Sequence, residues 1–168
     1  GGAGKGALIV VPVLAAPISA SRRREEYPPG MKVRPAAVAG SFYPADPRRL
    51  EAEVRGHLAA ADPPGGSRPK ALVAPHAGYV YSGPVAGSAF RQLEPSRGEI
   101  DRVVLLGPSH FVPFPGLALP AASAFETPLG DVPIAADATV HLAGLPQVVV
   151  ADLPHGREHA LEVELPFL

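Results

Sequence analysis

Two short apolar runs, Lys70–Ala74 and Arg102–Leu106, flank a segment of helical character over Gly83–Leu93. Strand, helix and strand at a repeat of about thirty residues is the pattern of a βαβ unit, whose strands pair in parallel. The fold class this predicts is α/β, built on a mainly parallel sheet. A further helix is predicted over 47–60. There Asp46 stands at the N-cap, Pro47 occupies the first turn, and Leu50, Val54 and Leu58 form an apolar stripe at i, i+4 and i+8. Additional strands are expected at Gly116–Leu119 and Val148–Ala151, and another helix over Glu158–Leu165. The stretch 108–135 reads as proline-rich loop, and no repeat of fixed period occurs.

At 168 residues the chain has the length of one domain. Gly 18 and Pro 22 are high, but 46% apolar and only 18% charged residues describe a folded, loop-rich chain rather than a disordered one. The formal net charge of −1 gives no electrostatic basis for binding nucleic acid or an anionic membrane. With no cysteine, disulfides, thiolate metal sites and thiol nucleophiles are excluded within these residues. Metal or acid–base chemistry must then use His, Asp, Glu, Ser or Tyr. The apolar segment Ala7–Ala20 is interrupted by Pro12 and Pro17 and followed by Arg22, Arg23, Arg24, Glu25 and Glu26. It is shorter than the roughly 20 residues a bilayer-spanning helix needs. Because the only methionine is Met31, residues 1–30 are expected to be a non-native or disordered leader, with a secretory signal as the alternative, and the domain to run from 31 to 168.

Ligands of α/β sheets gather beyond the carboxyl ends of the strands. His76 follows Leu72-Val73-Ala74-Pro75, and His110 follows Leu105-Leu106-Gly107-Pro108-Ser109, so neighbouring strands would deliver both imidazoles to one edge. Two imidazoles within reach are a nucleus for an iron, zinc or copper site. Around His76, Tyr79, Tyr81 and Ser82 offer hydroxyls to a bound oxygen ligand, and Gly78 and Gly83 permit close backbone approach. A third cluster, His155-Gly-Arg-Glu-His159, matches the H-x-x-E-H zinc pattern, although Pro154 and Gly156 oppose a helix through His155. If a helix starts near Glu158 instead, His159 stands at its N-terminus as third ligand, acid/base or cap. His57 and His141 read as surface or core residues.

Five ordered blocks carry a resemblance: Arg34-Pro-Ala-Ala-Val-Ala-Gly-Ser-Phe-Tyr-Pro44, Pro75-His-Ala-Gly-Tyr-Val-Tyr-Ser-Gly83, Gly107-Pro-Ser-His110, Thr127-Pro-Leu-Gly130 and Glu158-His-Ala-Leu-Glu-Val-Glu-Leu-Pro-Phe167. Together they resemble the Memo family, whose bacterial and archaeal members are called AmmeMemoRadiSam system protein B. The resemblance implies a three-layer α/β/α fold similar to the type III extradiol (LigB-like) dioxygenases, with non-haem iron at the carboxyl edge of the sheet. It implies His76 and His110 as metal ligands, for iron first and copper or zinc after it. His159 and Tyr79 are the implied catalytic residues, and Ser41, Phe42, Tyr43, Tyr81, Ser82, Ser109 and Glu158 the implied pocket. The family's third ligand, a cysteine from a later segment, and its Ser-Asp-x-x-His loop have no counterpart here, so the sequence is expected to be a fragment, incomplete at the C-terminus. The implied activity is that of a metal-dependent oxidoreductase of dioxygenase type. Radical-SAM and AMMECR-type proteins, and a small-molecule or peptide ligand, are the implied partners, and the cytoplasm the expected compartment. A non-catalytic metal carrier or peptide-binding module is the alternative, and a zinc hydrolase using His155, Glu158 and His159 the second.

Overall fold

The computed structural model describes residues 7–14 and 31–168 and is of mixed α/β architecture. In chain order the elements are β1 (Leu8–Leu14), β2 (Val33–Arg34), α1 (Pro47–Ala60), α2 (Tyr79–Arg91), β3 (Arg102–Pro108), β4 (Leu117–Leu119), β5 (Ala124–Phe125), β6 (Val132–Pro133), α3 (Ala136–Ala143), β7 (Val148–Val150) and the single turn α4 (Leu153–Gly156). A 3-10 helix, Glu162–Phe167, follows. The main sheet has the order β3-β1-β4-β7, and a small one the order β2-β5-β6. Two of the three strand pairs of the main sheet are parallel, with one antiparallel pair. β1 runs antiparallel to β3 and parallel to β4, which is parallel to β7.

Two expectations about the sheet are corrected. The segment Leu8–Leu14, assigned to a leader outside the fold, is an interior strand. Its run LIVVPVL pairs with β3 from Leu8↔Pro108 to Leu14↔Arg102. Ile9, Val10, Val11 and Val13 are all at most 2% exposed, the signature of a strand covered on both faces. The rest of the expected leader, 1–6 and 15–30, lies outside the described residues. Conversely, Lys70–Ala74 forms no strand. Leu72 and Ala74 pack inward and Val73 is 97% exposed. β1 holds one edge of β3, and Pro69 and Pro75, which lack N–H donors, bracket the run. The βαβ unit therefore does not close.

Three apolar clusters stabilise this arrangement. On one face of the sheet, Ile9, Val11 and Val13 meet Phe125, Leu161 and Leu165. On the other, Val10, Leu119 and Val148 meet Leu142 of α3, while Val104 and Leu106 of β3 stay exposed. The third cluster joins α1 and α2 through Leu50, Val54, Tyr79, Ala86 and Phe90 to Val163 and Phe167. α1 has the expected bounds, and the Asp46 carboxylate caps it by accepting the Arg49 N–H at 2.8 Å. α2 starts earlier than expected, at Tyr79. The helix expected over Glu158–Leu165 is instead a 3-10 segment from Glu162, preceded by the α4 turn. Glu158 folds its carboxylate onto the N–H groups of His159 and Ala160, and Pro166 lacks a donor for a continuing α-helix. Helix α3 had no counterpart among the expected elements. Among the described residues no helix is long and apolar enough to cross a membrane.

Candidate metal centre

His110 stands two residues past β3, His76 two residues before the N-cap of α2, and His159 in the loop between α4 and the 3-10 helix. These three segments converge. The His110 and His159 rings stack at 4.7 Å between centroids and 11° between planes. His76 lies 5.3 Å from His110 and 6.0 Å from His159 by the same measure. Sequence reasoning placed both His76 and His110 on strand ends. The structure brings them together with only His110 delivered by a strand.

Under the imidazoles is the buried carboxylate of Glu158. Its Oε2 accepts the His110 backbone N–H at 2.5 Å, and its Oε1 lies 2.9 Å from His110 Nδ1. Oε1 also accepts the N–H groups of His159 at 2.8 Å and Ala160 at 3.0 Å. Burial pushes this carboxyl's pKa up, but the His110 side chain and the three backbone donors outweigh it and hold the pKa below the ordinary value. An ionised carboxylate can only accept, so His110 Nδ1 donates in this contact, which leaves Nε2 as the ring nitrogen available to a ligand. Burial, followed by the nearness of His110, lowers the pKa of His76; burial, His110 and His76 lower that of His159 against the opposing pull of Glu158. Both shifts favour the neutral imidazole, the form that ligates.

The donor set suits a transition metal. His110, Glu158 and His159 offer ligand atoms within 4.8 Å of one another, and imidazole with carboxylate suits iron, zinc or copper. A carboxylate on the far nitrogen of a ligating histidine is the usual arrangement for fixing its tautomer and ring direction. Phe42 packs at 4.8 Å and Phe111 at 6.2 Å from the His159 ring, and the Arg157 guanidinium lies 5.5 Å from the Phe111 centroid. Phe111 and Arg157 were not singled out from the sequence, although each adjoins a residue or motif that was.

The other expected site residues are placed differently. Tyr79 is 2% exposed in the α1–α2 cluster and its hydroxyl donates to the Val163 carbonyl at 2.8 Å. Tyr43 is buried with its hydroxyl on Glu162 Oε1 at 2.6 Å. Ser82 donates to the Ala77 carbonyl in the first turn of α2, Ser41 to Val38, and Ser109 to Val112. Tyr81 is 82% exposed on α2. These side chains shape the loops that carry the histidines. His155 is not in the cluster: it is buried, its Nε2 faces the Ala118 carbonyl at 3.1 Å, and its ring packs edge-on to Phe125. The H-x-x-E-H helix is not formed.

Sequence reasoning also missed the buried network behind the site. Glu162 is 0% exposed and takes the Arg34 guanidinium, the Tyr43 hydroxyl, and the N–H groups of Ala37 at 2.8 Å and Val38 at 2.9 Å. Arg34 also donates to the carbonyls of His155 and Glu158. It thereby fastens the loop carrying Glu158 and His159 to the segment around Phe42. The only sequence signal was that Arg34 and Glu162 both lie in the ordered blocks.

Comparison with known proteins places this site in context. The family model described as Memo-like protein matches residues 34–168. A MEMO1 family protein of Aquifex aeolicus (strain VF5) is 38% identical over 138 residues, covering 82% of this chain and 50% of that protein. One of Ignicoccus hospitalis is 43% identical over 148 residues, covering 82% and 52%. The Protein memo-1 homolog of Caenorhabditis elegans is 37% identical over 140 residues, covering 83% and 39%. The chain thus spans about half the length of the curated prokaryotic relatives it matches. With a family model running from Arg34 to Leu168 and carrying all three converging histidines and Glu158, the chain belongs to the Memo-like protein family.

Proposed function

We propose that this Memo-family chain binds a transition metal, iron first and copper or zinc after it, through His76, His110 and His159. In this reading the centre serves oxidoreductase chemistry of dioxygenase type. The observation that supports it most directly is the grip of Glu158 on His110 Nδ1 beside two further imidazoles, whose centroids lie 5.3 Å and 4.7 Å from that ring. A bound iron would supply one-electron exchange and Lewis acidity. The chain's own residues do the rest. Glu158 fixes the His110 tautomer. Burial and mutual proximity favour the neutral form of His76 and His159. Phe42 and Phe111 exclude water from one side of the His159 ring. Radical-SAM and AMMECR-type partners belong to the same proposal, as does a cytoplasmic setting.

The test is metal content by mass spectrometry on protein purified without air, with His76→Ala, His110→Ala and His141→Ala variants alongside. Near-stoichiometric iron that is lost in the first two variants and kept in the third supports the centre. Metal kept in all three, or absent from all, overturns it. One observation favours a second reading, a metal carrier without turnover: the His110 side chain is 38% exposed, which suits exchange of a metal with an outside donor. Oxygen uptake by the iron-loaded protein with a reductant separates the two, since a carrier consumes none.

A further inference from the structure

Arg34, the second residue of β2, is 6% exposed, and its planar guanidinium meets three acceptors at once. Nε donates to the His155 carbonyl at 2.9 Å, one terminal nitrogen to the Glu158 carbonyl, and the other to the Glu162 carboxylate. The group is itself seated over the Phe125 ring, 5.0 Å from its centroid. Glu158 is thus held from both ends. Arg34 takes its backbone oxygen, while its carboxylate reaches the His110 N–H at 2.5 Å and Nδ1 at 2.9 Å. The Glu162 half of the ion pair has a second line of contact. It accepts the N–H groups of Ala37 and Val38, and the Val38 carbonyl accepts the Phe42 N–H at 2.9 Å. The Phe42 ring packs 4.8 Å from that of His159, and its carbonyl accepts the N–H of Tyr79, three residues past His76, at 2.8 Å. One buried ion pair therefore joins the segments that carry all three imidazoles.

We infer that Arg34 is the positioning residue of this three-imidazole cluster. By fixing the Glu158 backbone it aims the carboxylate at His110, and so selects Nδ1 as the protonated ring nitrogen and leaves Nε2 for a ligand. The chemistry of the side chain explains why an arginine stands here. Donors held in one rigid plane serve three acceptors in fixed directions, whereas a lysine ammonium is a single point on a flexible stem. Lysine keeps a charge opposite Glu162 but cannot hold both carbonyls as well. The consequence for metal affinity rests on the centre proposed above; the consequence for the His110 ring does not.

The experiment compares the unaltered protein with Arg34→Lys and with Val54→Ala, which loses stability in the α1–α2 cluster without touching the network. The first readout is the His110 tautomer in metal-free, 15N-histidine-labelled protein, taken by NMR at a pH above the imidazole range. The unaltered protein and Val54→Ala are expected to carry the proton on Nδ1, and Arg34→Lys to show a mixture of the two tautomers. The second readout is zinc affinity by competition with a chromophoric chelator. It is expected to fall about tenfold in Arg34→Lys, as when a ligating histidine loses its outer partner, and to hold in Val54→Ala. A single Nδ1 tautomer in folded Arg34→Lys overturns the inference and leaves Arg34 a structural staple. So does the same mixture in Val54→Ala, which would tie the ring to overall stability. If the unaltered protein binds no zinc, the proposed centre is what fails, and the tautomers still decide on Arg34. Should Arg34→Lys not fold, Arg34→Met/Glu162→Met strands no charge and is read in the same two ways.

Discussion

The Glu158 carboxylate holds His110 at two points, the backbone N–H at 2.5 Å and the ring Nδ1 at 2.9 Å, across 48 positions of sequence. A histidine two residues beyond a strand end would otherwise choose its tautomer and ring direction freely. Here both are set by one buried, ionised group. Glu158→Gln keeps the shape but removes the charge and one acceptor. Metal affinity should fall about 10–100-fold, the usual effect of losing the outer partner of a ligating histidine. Competition titration with a chromophoric chelator measures it, and a thermal melt in the same buffer separates this loss from misfolding. Unchanged affinity in a folded variant would show that Glu158 is only a loop staple.

Glu162 sets a different prediction, about stability. Removing it by Glu162→Ala strands the Arg34 guanidinium in a site where that side chain is 6% exposed. Breaking one partner of a buried ion pair costs about 3–5 kcal/mol. Tyr43→Phe removes one hydrogen bond from the same carboxylate and should cost about 1–2 kcal/mol. Urea unfolding of both variants tests the ranking. A smaller loss for Glu162→Ala than for Tyr43→Phe contradicts the network as drawn.

Much of this was legible in the sequence, and the pattern of what was not is physical. Helix α1 was readable to the residue because its signals are local: the Asp46 cap, Pro47, and a stripe ending at Leu58. The strand character of β3, β4 and β7 was readable for the same reason. Which strands pair was not, because pairing is decided by competition between distant segments. Leu8–Leu14 is apolar throughout and carries no periodicity, so nothing in it distinguishes a buried strand from a leader. Lys70–Ala74 has the composition of a strand yet remains without a ladder partner. At the site, the positions of His76 and His110 after apolar runs pointed to one edge. The role of Glu158 depends on a contact across 48 positions and was left among several options. Tyr79, expected to face a ligand, is absorbed into the core because its ring, with that of Phe90, joins α2 to Phe167.

Two buried groups make stability depend on pH in opposite senses. His155 is lowered from 6.5 to about 4, chiefly by burial. Above 6.5 it is neutral in both states; as pH falls from there to about 4 the unfolded chain takes up the proton first, and stability drops by up to roughly 3 kcal/mol. Glu164 is raised from 4.5 to about 8 by burial alone, and its Oε2 has no partner. Its folded form keeps the proton longer than the unfolded form, so stability is lost as pH rises from 4.5 to about 8. His155→Gln, which retains a donor for the Ala118 carbonyl, should flatten the acid limb of a plot of urea midpoint against pH. Glu164→Gln should flatten the alkaline limb. Parallel profiles for the variants and the unaltered protein would count against both assignments.

The crossing of α1 and α2 depends on the glycines of α2. A Cβ on Gly87 would stand 2.6 Å from the backbone oxygen of His57 and 2.7 Å from its carbonyl carbon. Backbone cannot swing aside, so Gly87→Ala forces the helices apart. A gain of about 0.5–1 kcal/mol is normal for glycine to alanine inside a helix. Here it should be overridden by an overpacking cost of about 1–3 kcal/mol. Gly83→Ala meets the same neighbour differently, through the His57 ring at 2.2 Å, and a ring can rotate away. His57 Nε2 has no hydrogen-bond partner to lose, so this second variant should be the milder of the two. Melting temperatures of the pair measure the difference. Gly87→Ala should lower the melting temperature more than Gly83→Ala. The reverse order would mean that α1 and α2 cross further apart than the glycine contacts imply.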